Sequence, residues 1–100
     1  MKTKIEEIDG KYVAKLEGEM DTAAAVEAEE VLKPIYNSNG KDVIIDCTNL
    51  EYIASSGLRI LLSILKGAKA NGSKVVMRDV NDDIMNVFKL TGFNTIFEFE

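Results

Sequence analysis

The residues best placed to do chemistry lie in Ala54-Ser55-Ser56-Gly57-Leu58, where two hydroxyls and a glycine stand at the passage from a strand and loop into an apolar-striped helix. The first N–H groups of a helix lack intrahelical acceptors and the macrodipole is positive there. Ser55 or Ser56 can therefore accept from a free donor as a cap. The same place suits a phosphate, which adds about −1.5 to −2 charges and three strong acceptors at pH 7. Gly57 has no side chain, which would let another backbone or a kinase active site come close. Spacing alone favours the cap, because short motifs often match by accident, and the phosphate reading stands beside it. Arg59, one turn into the helix, reads as a solvated residue that could also pair with a phosphoserine or with an acidic group of a partner.

Asp21 and Asp46 are the next candidates, both read as lying near strand ends. A carboxylate there accepts loop N–H groups or sits beside a helix amino terminus. As a pair they could resemble a metal site, but no third carboxylate, histidine or phosphate-cradling glycine loop joins them, so they read as caps and loop braces and no metal or cofactor is expected. Histidine is absent from the chain, which removes Ser-His triads, imidazole acid-base chemistry and the commonest metal ligand. Cys47, the only cysteine, has no clustered cation to lower its pKa and reads as a small buried hydrophobe. Lys66, Lys69 and Lys74 complement a helix carboxyl end, and Phe93, Phe97 and Phe99 read as core and edge packing.

These residues must be positioned by a small set of elements. Asp9-Gly10 between apolar-alternating runs predicts a hairpin. Asp21 or Thr22 can cap a helix with Ala24, Ala28, Val31, Leu32 and Ile35 on one face, disturbed by Pro34 near its end. Asn37-Ser38-Asn39-Gly40 is a turn by composition. From Asp42 to Cys47 the unbroken run Val43-Ile44-Ile45 predicts a central strand covered by helices on both faces. Leu58, Leu61, Leu62 and Leu65 fall at i, i+3, i+4 and i+7 and define a helix closed by Asn71-Gly72. Lys74 to Arg78 predicts another interior strand, Asn81-Asp82-Asp83 starts a helix carrying Ile84, Val87 and Phe88, and Gly92 ends it. Thr95 to Glu100 alternates as a final strand buried on one face. The order β-β-α-β-α-β-α-β implies an α/β fold with a mixed, mostly parallel sheet of about five strands, helices packed against it and right-handed crossovers, over residues 1–100 as one domain.

Twelve basic and seventeen acidic residues give a net charge of −5. No stretch gathers Lys and Arg into a stripe for phosphates, which argues against nucleic acid as a partner. The longest apolar runs fall far short of the about 20 residues that span a bilayer, and the amino terminus lacks the apolar core of a signal peptide. A cytoplasmic protein with no membrane partner is the expectation, as a monomer or weak dimer.

Two motif regions resemble the STAS domain of bacterial anti-sigma factor antagonists, a likeness that covers essentially the whole chain in length and element order. Gly18-Glu19-Met20-Asp21 is similar to the family's G-E-x-D before the first helix. Asp46-Cys47-Thr48-Asn49-Leu50, leading to Ile53-Ala54-Ser55-Ser56-Gly57-Leu58, is similar to its D-x-S/T-x-x-x-x-(I/M)-D-S-S-G-L. The resemblance implies a protein that is not an enzyme but the substrate of one. In the family an anti-sigma factor that is also a serine kinase phosphorylates a serine at the start of this helix, and a phosphatase reverses the step. Only the unphosphorylated antagonist holds the anti-sigma factor. On the motif, Ser56 matches the phospho-acceptor, and Asp21 and Ser55 match residues around the partner surface. The implied docking set is Asp21, Thr22, Ile53, Ala54, Ser55, Ser56, Gly57 and Arg59. One departure is plain: the family's aspartate before the two serines is Ala54 here. The alternative is a constitutive STAS scaffold in which Ser55 and Ser56 only cap the helix.

Overall fold

The computed structural model describes residues 1–100. Lys2–Ile8 (β1) and Lys11–Met20 (β2) pair antiparallel. The two residues between them, Asp9 and Gly10, have φ of 52° and 76°, as required by the mirror-image turn whose twist matches the flanking strands. Thr22–Leu32 (α1) passes into a 3-10 turn at Lys33–Tyr36, with Pro34 in its first positions. The Lys33 N–H still donates to the Glu29 carbonyl, but Pro34 has no N–H to make the next bond of the α-helical ladder, so the α-helix ends before it. Val43–Ile53 (β3), Ser55–Ala70 (α2), Val75–Arg78 (β4), Asp82–Thr91 (α3) and Glu98–Phe99 (β5) follow. The strands lie in chain order across one sheet, and every pairing after the hairpin is parallel. The α/β class and the order of elements are those expected.

Because strand order follows chain order, each parallel connection steps in the same direction across the sheet. Right-handed crossovers then bring all three helices to one face. Burial agrees: a single core joins Ala14, Ile45 and Met77 of the sheet to Ala28, Leu61 and Phe88 of the three helices. Helices on both faces of β3 were expected, and this is corrected. Val43 and Ile45 point into the core, whereas Ile44 faces the other way, buried at 8% exposure but outside the core cluster. Its cover comes from its lateral neighbours in register, Val13 on β2 and Val76 on β4. An unbroken apolar run reports burial of both faces without saying what buries them.

Other boundaries also move. β3 runs on from Cys47 to Ile53, because β2 stays paired with it through two register shifts as far as Met20 opposite Ile53. The tail forms strand only at Glu98–Phe99. Just before it, the N–H groups of Thr95 and Ile96 donate to Gly92 and Phe93 carbonyls at 3.1 and 3.2 Å, winding a 3-10 turn at Phe93–Thr95. Phe97 is thereby turned into the core beside Phe93, ring centroids 5.7 Å apart. On α1 the buried stripe is Ala25, Ala28 and Leu32, continued by Ile35, while Val31 is 40% exposed. On α2 Leu58, Leu61 and Leu65 are buried as read, together with Ile60, Ile64 and Ala68, while Leu62 is half-buried at the edge of the core. Gly92, at φ 79°, closes α3.

Candidate docking and phosphorylation site

Met20 and Ile53 are register partners at the carboxyl ends of adjacent parallel strands. The Ala54 N–H donates to the Met20 carbonyl at 2.8 Å. That bond fixes where the chain leaves the sheet, so α1 and α2 begin side by side. Asp21 is the N-cap of α1: its backbone is extended and its carboxylate accepts the Ala24 N–H at 2.8 Å. Thr22 is the first helical residue.

At α2 the expectation of a serine cap is corrected. The N-cap is Ala54, at φ −82° and ψ 168°, with no side-chain acceptor. Its bond to Met20 holds it extended, so helical geometry already begins at Ser55. Both hydroxyls thus fall inside the first turn, where neither serves as cap. Ser55 is exposed, whereas the Ser56 Oγ is buried and has no hydrogen-bond partner.

Gly57 has a different task from the one expected of it. It is buried, and a Cβ there would lie 2.5 Å from Met20 Sδ and 2.8 Å from Ile53 Cγ1. The absent side chain lets α2 close down on the strand ends and does not face a partner. Ile53, 4% exposed, likewise shapes the site from below.

Between α1 and α2 runs a groove of about 220 Å³, lined by Thr22, Ala25, Val26 and Glu29 from one helix and Ser56, Arg59, Ile60 and Ser63 from the other. Each set follows helical spacing, Thr22-Val26-Glu29 and Ser56-Arg59-Ser63. Val26 and Glu29 escaped the sequence reading, although that second stripe on α1 was a usable signal. Val26 is 67% exposed. Glu29 accepts the Tyr36 hydroxyl at 2.9 Å; burial and the Glu29 carboxylate push that phenol up to about 12. Arg59 is exposed and belongs to none of the ion pairs. Six of the expected docking residues, Asp21, Thr22, Ala54, Ser55, Ser56 and Arg59, thus gather around the two helix starts, with Ile53 and Gly57 beneath them.

Asp46 does not join this site. It lies within β3, paired in register with Lys15 and Arg78 and not at a strand end. Ile53 lies seven positions further along the same strand, roughly 20 Å away, so Asp21 and Asp46 share no ligand. Burial pushes the Asp46 carboxyl up. Hydrogen bonds from the Thr48 hydroxyl and N–H, at 2.5 and 3.0 Å, and the charges of Arg78 and Lys15 outweigh that and hold it below its ordinary value. Cys47 is fully buried and its thiol is pushed up to about 12 by burial and by the neighbouring Asp46 charge. A thiol in that state is a poor nucleophile.

No helix is long and apolar enough to cross a membrane. Residues 2–100 match the family model described as the STAS domain. An anti-sigma-B factor antagonist of Staphylococcus aureus is 31% identical over 85% of this chain and 79% of its own length. An anti-sigma factor antagonist from Mycobacterium paratuberculosis, 27% identical, covers 98% of this chain and 83% of its own with a TM-score of 0.80. The Bacillus cell fate determinant SpoIIAA, solved in its phosphorylated form, shares the fold at a TM-score of 0.76 and 17% identity, over 99% of this chain and 91% of that one. With a model match along nearly its whole length and a relative at this level of identity, the chain belongs to the STAS domain family.

Proposed function

We propose that this protein is an anti-sigma factor antagonist that docks on an anti-sigma factor through the starts of α1 and α2 and is released when Ser56 is phosphorylated. The observation that carries the reading is the groove itself. It gathers a serine in the first turn of α2, the unpaired cation Arg59 and the exposed apolar side chain of Val26 on one surface. The relative from Staphylococcus aureus, which bears the antagonist name, supports the same reading.

In the unphosphorylated state Ala54, Ser55 and Ser56 themselves carry no charge, so a partner can pack closely on them. The kinase partner would transfer the γ-phosphoryl group of ATP to Ser56 Oγ. The O–P bond forms as the bond to ADP breaks, and the serine proton goes to a base on the kinase, since Ala54 supplies no carboxylate. No hydrogen bond holds Oγ in its buried position, so turning it outward breaks none. The phosphoserine then places about two negative charges in a packed interface, where desolvation and repulsion by acidic partner groups oppose binding. A serine phosphatase would reverse the step by hydrolysis.

A cognate anti-sigma factor/serine kinase with ATP should add one phosphate to the native chain and none to Ser56→Ala, read by intact mass. Ser56→Asp should weaken binding about 100-fold, or ~2.7 kcal/mol. Equal affinity of Ser56→Asp and the native chain would instead establish the constitutive scaffold, a reading favoured by the buried Ser56 Oγ and the missing carboxylate at position 54.

A further inference from the structure

The sheet has two edges of very different character. β5 is two residues long, whereas β1 runs for seven, without proline and in unbroken register with β2. Its outer backbone groups have no strand beside them. We propose that two copies of this chain pair antiparallel through their β1 strands, in the register that sets Lys4 of one copy opposite Glu6 of the other. The proposal is independent of what Ser56 does.

Symmetry and charge select that register. A two-fold axis perpendicular to the sheet keeps each face on its own side, so paired residues must come from the same face. Only registers centred on a residue satisfy this. Centring on Lys4 sets Lys4 against Lys4, and centring on Glu6 sets Glu6 against Glu6, both destabilising. Centring on Ile5 pairs Lys4 with Glu6 twice, Thr3 with Glu7 twice, and Ile5 with Ile5. On the open face Glu6 already holds Lys4 at 3.0 Å and Lys15 at 3.6 Å, so the partner's Lys4 would extend an existing row of alternating charge. On the other face the half-buried Ile5 packs against the core and would gain its twin. Beside it, Met1, Thr3, Ala24 and Val31 line a hollow of about 120 Å³ between β1 and α1, with Met1 42% and Val31 40% exposed. Lysines on an edge strand ordinarily prevent pairing; here their spacing from the glutamates is self-complementary. The two copies would form one continuous sheet with their docking grooves at opposite ends, both open.

An interface of one ladder and two helix flanks is small, which implies a dissociation constant of roughly 10–100 μM. Sedimentation equilibrium across about 5–500 μM should show the native chain passing from monomer to dimer. Lys4→Glu and Glu6→Lys should each stay monomeric while melting as cooperatively as the native chain. Mixed in equal amounts, they should form a heterodimer, because position 4 of each then faces an opposite charge at position 6 of the other. Amide shift changes on dimerisation should centre on β1. A native chain that remains monomeric throughout, a dimer that survives in both single variants, or a mixture that fails to associate would each overturn the proposal.

Discussion

The two helices that begin side by side at the carboxyl ends of β2 and β3 are started in opposite ways. At α1 the carboxylate of Asp21 closes the first turn onto the Ala24 N–H, and at α3 Asn81 does the same for Ile84. At α2 the equivalent place holds Ala54, whose side chain has nothing to accept with. The chain therefore finishes α1 internally and leaves the first turn of α2 to solvent or to a visitor. What substitutes for the cap is tertiary: the Ala54–Met20 backbone bond and the seating of Gly57 against Met20 and Ile53. A helix start fixed by packing can keep its donors free, and those donors surround the serine proposed to take a phosphate. The carboxylate that the resembled motif would place at Ala54 is thus, in structural terms, a missing N-cap.

The contrast can be broken most severely at Gly57. Alanine is ordinarily the better helix residue by up to about 1 kcal/mol, but here its Cβ would overlap Met20 and Ile53. Gly57→Ala should destabilise the protein by ~2 kcal/mol net, measured by urea unfolding; unchanged or increased stability would show that α2 is not held by this seating. Asp21→Ala removes the side-chain cap of α1 and should cost ~1 kcal/mol, a fall of about 4–8 °C in melting temperature for a chain of this size. Ala54→Asp supplies the absent cap and should raise stability by ~0.5 kcal/mol. If the gain equals the loss at Asp21, the two helix starts differ only in the residue present. If there is no gain, the packing around this helix start keeps a side chain at position 54 from reaching the first-turn N–H groups, since the backbone of Ala54 is already extended like that of Asp21.

Much of this architecture was legible in the chain. The Asp9-Gly10 turn announced itself because almost no other pair accepts two positive φ angles, and the Leu58-Leu61-Leu62-Leu65 stripe because a strongly amphipathic helix has one way to bury itself. The region around Ser56 was legible as a place but not as a geometry. A difference of one residue in where α2 begins decides whether a serine is a cap or an interior residue, and that boundary is set by a hydrogen bond to β2, more than thirty positions earlier in the chain. The open face of the sheet was illegible for a related reason. Val43-Ile44-Ile45 records that both faces are covered, and only strand order distinguishes a helix from the neighbouring Val13 and Val76 as the cover. In the tail the alternation survives in burial, with Phe97 and Phe99 turned inward and Glu98 and Glu100 exposed; turn hydrogen bonds at Phe93–Thr95 only keep the first residues of that segment out of the strand.

Strand order equal to chain order also bears on how the molecule is made. Each strand pairs with the one synthesised just before it, so no segment has to wait for a distant carboxyl-terminal partner, and loop closure stays short at every step. The β1–β2 hairpin can form first, and α1 with β3, α2 with β4, and α3 with β5 can then add in the order in which they leave the ribosome. The last addition is the two-residue β5, so the outer strand at that end of the sheet is the final and least committed piece of the assembly.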